Sequence, residues 1–284
     1  MLCTIGDLVE DVVVWLDTKP VYGTDTPARI FRRRGGSAAT VAARAAASGV
    51  PSRFVGQVGD DRLGEQLVAE LEATGVEVLV NRNGTTGSVV VLVDGTGERT
   101  MLPDRAAAMA LASLPAGALA GVAWLHVPAY SLVVEPLGTT SRNAIASARA
   151  AGAGISIDAS STGPINAHGV SPFLEMLASL RPDVFFANKD EAALLGLGPG
   201  APLPGAALTV IKAGADPVLL VTGSGETTAV PVAQVEVVSD TTGAGDAFAA
   251  GFVAARMAGA EPAGAAEAGC RRAATVLSQP GAGD

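Results

Sequence analysis

Cysteine is scarce. Two thiols in 284 residues, Cys3 and Cys270, cannot build a disulfide framework, so both are expected to be reduced and mostly buried. The two histidines, His126 and His168, stand alone, and no Cys/His cluster has the spacing of a zinc site. Positive charge is in deficit, with 19 Lys and Arg against 28 Asp and Glu. The resulting net charge of −9 excludes a broad nucleic-acid surface but leaves room for small anions held by helix ends. Residues 106–134 contain no acid, lysine or arginine, yet Pro115, Gly117, Gly121 and Pro128 interrupt them and alanine outweighs leucine. They read as a buried helix, a turn and a core strand rather than a membrane span. The opening "MLCTIGDLVEDVVVWL" carries acids early and no basic flank, unlike a secretory signal. Both readings point to a soluble, cytoplasmic protein that uses no membrane and no nucleic acid.

With 49% apolar and 17% charged residues the chain has an ordinary globular composition, long enough for one large α/β core. Short apolar runs alternate with alanine-rich helical segments. "MLCTIG", "SRFVGQVG", "VAWLHV", "ISIDAS", "DVFFAN" and "PVLLVTG" read as strands. "AATVAARAAASG", "DRLGEQLVAELEATG", "TTSRNAIASARAAG", "DEAALLG", "AGDAFAAGFVAARMAG" and "AEAGCRRAATVLS" read as helices, the second capped by Asp60 or Asp61. This alternation predicts a doubly wound, mostly parallel sheet covered on both faces. Residues at about 12–34 and 86–102 break it: they are strand-rich, with polar turns and no helix between strands. They are expected to form a small β-sheet lid inserted in a single domain of residues 1–284, over the carboxyl ends of the main strands.

The segment "SDTTGAGDAFAAGF" passes from extended chain to helix at a glycine turn that holds one carboxylate, Asp246. The amides of Ala244, Gly245 and Asp246 open the helix behind Gly243, where orphan N–H groups and roughly +0.5 charge make an anion site. An aspartate there is either a stabilising first-turn acid or a base that orients a hydroxyl and takes its proton late in phosphoryl transfer. No G-x-x-x-x-G-K-[ST] loop is present, and Phe248 stands where a dinucleotide loop would need glycine. Asn188 and Glu191 follow a buried strand and share a helical face, as either a helix-start polar pair or oxygen ligands of the kind magnesium takes.

On these residues the chain resembles the ribokinase-like (PfkB) family of sugar and nucleoside kinases. "DTTGAGDAF" is similar to that family's C-terminal signature, "GGSAATVAARAAASGVPSRFVGQVGDDRLGEQLVAELEATGVEV" to its N-terminal signature region, and "NKDE" at 188–191 to its N-x-x-E motif. The resemblance implies a three-layer αβα kinase that uses ATP and Mg2+. Asp246 would be the base and the backbone of residues 243–246 the anion hole. Asn188 and Glu191 would lie around magnesium and phosphate, often through water. It also implies substrate contacts from Asp11 on the first strand and from Gly35 and Gly36. "VTGSGE" would be the nucleotide-side turn, with Thr222, Gly223 and Gly225 beside ATP. Asp240 and Thr242 match positions that bind a monovalent cation, K+, in some members.

Two departures bear on the substrate. Val9 and Thr40 stand where family members carry asparagines, which leaves a pocket less polar than a ribose site. Arg105 lies where some acid-sugar and hexose kinases place a ligand-binding arginine, and is otherwise a solvated surface residue. "RRR" at 32–34 serves either lid solubility or the site, and His126 is either a core histidine or a pocket residue. The expected activity is ATP-dependent phosphorylation of a hydroxyl on a small sugar or sugar-like alcohol. A nucleoside kinase is the neighbouring alternative, with Trp15, Tyr22, Phe31, Trp124 and Tyr130 to wall a nucleobase. A sugar-binding regulatory protein without catalysis is the alternative from another class. Exposed lid strands are expected to allow a homodimer.

Overall fold

The computed structural model describes residues 1–95, 99–232 and 243–278. In chain order the elements are β1 (Leu2–Ile5), β2 (Val9–Leu16), β3 (Ala28–Gly35), α1 (Ser37–Ala46), β4 (Ser52–Val58), α2 (Arg62–Glu72) and β5 (Glu77–Arg82). Next come β6 (Thr86–Val93), β7 (Arg99–Ala106), β8 (Trp124–Pro128), α3 (Leu137–Ala150), β9 (Gly154–Asp158), α4 (Thr162–His168) and α5 (Val170–Leu180). The chain continues through β10 (Val184–Asn188), α6 (Lys189–Leu195), β11 (Leu208–Lys212), β12 (Val218–Thr222), β13 (Thr227–Val230), α7 (Ala244–Met257) and α8 (Pro262–Leu277).

Nine strands form one sheet in the order β13-β12-β11-β10-β9-β8-β1-β4-β5, parallel from β11 to β5 and antiparallel at β12 and β13. Its strands are apolar on both sides because helices cover both faces. Strand β10 shows the alternation: Phe185 and Ala187 pack with α3, α5 and α6, whereas Val184 and Phe186 pack with α1, α7 and α8. Phe186 meets Phe252 edge-on at 5.3 Å and Phe248 at 6.1 Å, which clamps α7 to the sheet and so fixes the height of its first turn.

A second sheet, β3-β2-β6-β7, stands apart as the lid, with two antiparallel seams, β2–β3 and β6–β7, joined by a parallel β2–β6 seam. Its strands span 9–35 and 86–106, so they begin earlier and end later than their polar turns suggest. Val9, Val13, Val89, Val91 and Val93 give it a small apolar core of its own.

Several elements differ from the sequence expectations. Residues 106–134 hold no α-helix; a three-residue turn at Ala107–Met109 leads by a loop to β8. Proline and glycine at four positions leave too few consecutive residues to nucleate one. Asp61, not Asp60, caps α2, accepting from the Gly64 amide at 2.8 Å. Helices α4 and α5 and strands β5 and β11 have no counterpart in the sequence reading, although Gly75, Gly169, Gly205 and Gly214 mark their ends. Among the described residues no helix is long and apolar enough to cross a membrane.

Candidate active site

Parallel strands end on one edge of the sheet, and the residues just past those ends converge there. Asp7 and Tyr130 follow β1 and β8; Asp158, Asn188 and Lys212 close β9, β10 and β11. With the first turn of α7 and the lid they line a cavity of about 800 Å3.

Asp246 lies in the first turn of α7, whose cap Gly243 is left-handed at φ 75°. Ser37, the first residue of α1, donates to Asp246 Oδ1 at 2.6 Å. Burial, helped by Asp158 and Asp7, pushes the Asp246 carboxyl up to about 7, against the pull of Ser37 and Lys212. Gly243, Ala244 and Gly245 line the cavity beside it, and a Cβ on Gly245 would lie 3.4 Å from Lys212 Nζ. The opening turn of α7 therefore lies at the cavity with the Lys212 ammonium at its side.

Lys212 Nζ donates to Asp158 Oδ2 at 2.6 Å. Burial works to lower the Lys212 pKa, but Asp158 and Glu191 outweigh it and hold the group charged. Asn188 and Glu191 form a reciprocal cap: Asn188 Oδ1 accepts from the Glu191 amide at 2.9 Å and Glu191 Oε2 from the Asn188 amide at 2.8 Å. Both also line the cavity. Burial and then Asp158 push the Glu191 carboxyl up to about 7.

The double glycine that joins the lid to α1 is dictated by crowding. A Cβ on Gly35 would lie 2.2 Å from Asp11 Oδ1, and one on Gly36 2.2 Å from the Asp7 carbonyl. Asp11 is on β2, the first lid strand, not on β1, and its Oδ2 stands 3.9 Å from Arg33 Nε. Arg105 lines the cavity too: its Nε donates to Asp7 Oδ2 at 3.1 Å and its guanidinium lies 4.5 Å over the Tyr130 ring. Tyr130 in turn donates its hydroxyl to Asp7 Oδ1. Thr40 lines the wall, but its hydroxyl is spent on the Gly36 carbonyl at 2.8 Å.

Two sets of expected site residues lie elsewhere. Strand β12 runs antiparallel to β11, with Thr222 opposite Leu208, so Thr222, Gly223 and Gly225 sit at the amino-terminal edge of β11, a strand's length from Lys212. The glycine turn on the site edge is the one after β11, where Ala213, Gly214 and Ala215 line the cavity. His126 is fully buried in the sheet, its Nδ1 2.9 Å from Ser156 Oγ, and does not reach the cavity. Burial drives its pKa down to about 4. Asp240 and Thr242 lie outside the described residues.

Asp7, Ser37, Asp158, Lys212 and Gly214 have no place in the sequence reading, and Tyr130 enters it only as a wall for a nucleobase. For Asp158 and Lys212 a signal exists: each is an ionisable residue ending an apolar β-run, where parallel sheets bind ligands. Ser37 has none.

Known proteins fit this geometry. A sequence profile of the pfkB family of carbohydrate kinases matches residues 1–284. The fructokinase of Salmonella typhimurium is 30% identical over 283 residues, 91% of this chain and 85% of that one. The ATP-dependent ribose-1-phosphate kinase of Halopiger xanaduensis is 32% identical over 257 residues, covering 88% and 82%. Adenosine kinase from Sinorhizobium meliloti superposes with a TM-score of 0.87 at 24% identity over 100% of this chain and 95% of its own, a likeness of fold. The whole-chain match and the shared architecture agree: the protein belongs to the pfkB family of carbohydrate kinases and is an ATP-dependent sugar kinase.

Proposed function

We propose that the chain transfers the γ-phosphoryl group of ATP to a hydroxyl of a small sugar, with Asp246 as the base. The observation that carries this reading is the meeting of a carboxylate, helix amides and a lysine at one cavity edge: Asp246, residues 243–245 and Lys212. The acceptor oxygen bonds to the γ-phosphorus as the bond to the bridging oxygen breaks, and the hydroxyl proton passes to Asp246 late in the transfer. The amides of the α7 turn and Lys212 stabilise charge on the transferring group. Val218, Val232, Ala273 and Ala274 line the same cavity as Gly214 and offer apolar contacts to the base of the nucleotide.

Among the described residues no three His, Cys, Asp or Glu side chains form a metal cage. Asp158, Asn188 and Glu191 instead offer scattered oxygens, which fits a magnesium ion carried in on ATP phosphates and keeping several waters. Bound there, it would neutralise phosphate charge. The same family resemblance underlies the K+ expectation at Asp240 and Thr242.

A sugar fits better than a nucleoside. Of Trp15, Tyr22, Phe31, Trp124 and Tyr130, only Tyr130 lines the cavity, and its ring already carries Arg105. The lid exposes Ile30, Phe31, Met101 and Leu102, which supports a homodimer through that sheet; sedimentation velocity on Phe31→Glu would test it. A cytoplasmic enzyme is the setting that ATP supply favours.

The deciding experiment is magnesium-dependent ADP release across sugars, polyols and nucleosides, with Asp246→Asn beside the wild type. Turnover lost by ~10²-fold or more in the variant supports the assignment. Equal rates would remove Asp246 as the base. Silence with every compound, while one still raises the melting temperature, would favour a regulatory sugar-binding protein.

A further inference from the structure

Among the described residues three that are not glycine take a positive φ: Ala106, Ser160 and Arg181. Arg181 caps the end of α5, where a left-handed residue is ordinary, and Ala106 ends the lid strand β7. Ser160, at φ 63°, is the one of the three that lines the cavity. Serine does not favour this region as glycine or asparagine does, so the fold sets it there against a local preference. Strain of this kind persists where the surroundings over-determine it, and it gathers at sites whose geometry matters.

The group that Ser160 holds is Asp158. Its amide donates to Asp158 Oδ1 at 3.0 Å and its hydroxyl to the Asp158 carbonyl at 2.9 Å. The other carboxylate oxygen, Oδ2, accepts from Lys212 Nζ at 2.6 Å. Both oxygens are therefore engaged, one of them by a backbone amide whose direction is fixed by the left-handed step. The flanks of that step are tied down as well. The Ala159 amide bonds to the Phe186 carbonyl at 2.9 Å, and Ser161 caps α4.

Lys212 has no comparable anchor of its own. An ammonium on a flexible four-carbon stem carries three rotatable donors. Among the described residues its hydrogen-bond partner is Asp158, and the Phe186 ring lies 5.9 Å away. With the bond to Asp158 made, two donors remain for the cavity beside the first turn of α7. The direction of those donors follows the Asp158 carboxylate, and the direction of the carboxylate follows the Ser160 amide.

Resting on the phosphotransfer reading above, we propose that Ser160 is a positioning residue for the reaction: its left-handed backbone holds Asp158 and, through Asp158, aims the Lys212 ammonium at the transferring phosphoryl group. Ser160 itself touches neither phosphate nor sugar. A residue at ease at positive φ preserves the arrangement. A β-branched residue, for which that conformation is an outlier, turns the amide away and releases the carboxylate.

The test uses the full chain with Ser160→Asn, with Ser160→Val, and with Ser160→Val added to Lys212→Gln. Magnesium-dependent ADP release with fructose, ribose and adenosine is measured beside NMR of protein labelled with 15N-lysine. Lys19, Lys189 and Lys212 are the three lysines, and the first two are exposed, so the ammonium of the buried pair is readily told apart. Ser160→Val is expected to lower kcat about tenfold or more, part of the ~10²–10³ that loss of a charge-stabilising donor costs. KM values should stay within about threefold, and the Lys212 signal should shift. Ser160→Asn should keep kcat within about twofold and leave the signal in place. In the Lys212→Gln background, Ser160→Val should cost no more than about twofold further.

An unchanged kcat in Ser160→Val would overturn the inference and leave the kinase standing. So would an equal loss in Ser160→Asn, a full loss that persists in the Lys212→Gln background, or a rise in KM alone, which would put Ser160 on the substrate. No turnover by the wild type, with the Lys212 signal still moved by valine, would overturn the phosphotransfer reading and leave the placement of Lys212 by Ser160 standing. An unmoved signal would overturn that placement whatever the rates. Should Ser160→Val fail to fold, Ser160→Ala takes its place: it drops the hydroxyl bond, keeps the unfavourable φ, and should lower kcat about threefold.

Discussion

Ser37 Oγ donates to Asp246 Oδ1 at 2.6 Å across 209 residues of sequence, and it joins the first residue of α1 to the first turn of α7. Gly35 and Gly36, which immediately precede Ser37, are the hinge by which the lid enters α1. The carboxylate proposed as base is thus held by the residue that opens α1 directly behind the lid strand β3.

Ser37→Ala removes a hydrogen bond that favours the ionised form of Asp246. The acid limb of the kcat/KM profile should move to higher pH. Activity at pH 6.5 should fall roughly tenfold more than activity at pH 8.5, where the base is ionised regardless. A uniform loss across the pH range would show that Ser37 only packs.

The carboxyl groups of Asp246 and Glu191, both raised to about 7, and of Asp11, raised to about 6, set the pH dependence of stability. Each binds its proton more tightly folded than unfolded, so its contribution is fully present below the unfolded carboxylate range and is lost as pH rises through 6 to 7. The ligand-free protein should melt lower at pH 8 than at pH 5. Asp246→Asn, which keeps a neutral side chain at every pH, should raise the melting temperature at pH 8 by roughly 2–4 °C more than at pH 5. A rise of equal size at both pH values would contradict the assignment.

Lys212 and Asp158 are a desolvated pair, their side chains 16% and 7% exposed. Lys212→Ala should strand the Asp158 carboxylate and destabilise the fold by about 3–5 kcal/mol. The double variant with Asp158→Ala should recover part of that loss, a coupling readable in urea unfolding. Additive losses would mean that the pair does not interact in solution.

In the proposed reaction the nucleotide contacts the turn after β11. Gly214 has φ 65° and lines the cavity, so Gly214→Val both strains the backbone and fills the slot; the KM for ATP should rise tenfold or more. Thr222→Val, at the opposite edge of the sheet, should leave that KM within about twofold. The reverse pattern would restore the Thr222 turn as the nucleotide contact.

The extent to which all this was legible follows from the range of the forces involved. Strand β10 and helix α7 are visible in "DVFFAN" and "AGDAFAAGFVAARMAG" because period-two and period-3.6 burial are local properties of the chain. The Gly243 turn and the Asn188–Glu191 cap are visible for the same reason: caps and glycine turns act over a few residues. The Thr222 turn was misplaced because nothing local says that β12 runs backward; its direction is settled by pairing with β11. His126, either a core histidine or a pocket residue on sequence, is the former, since exposure depends on which helices cover a strand.

The sequence by itself determined the alternation of elements, the glycine turn that opens α7 and the carboxylate in it, through short-range propensity and hydrophobic period. Only the tertiary structure decided which ionisable groups face one another: Ser37 on Asp246, Lys212 on Asp158, Arg105 between Asp7 and Tyr130. Such pairings need strand order and lid register to bring together residues separated by 54 to 209 positions. Charge acts through space, and space is what the packed sheet supplies.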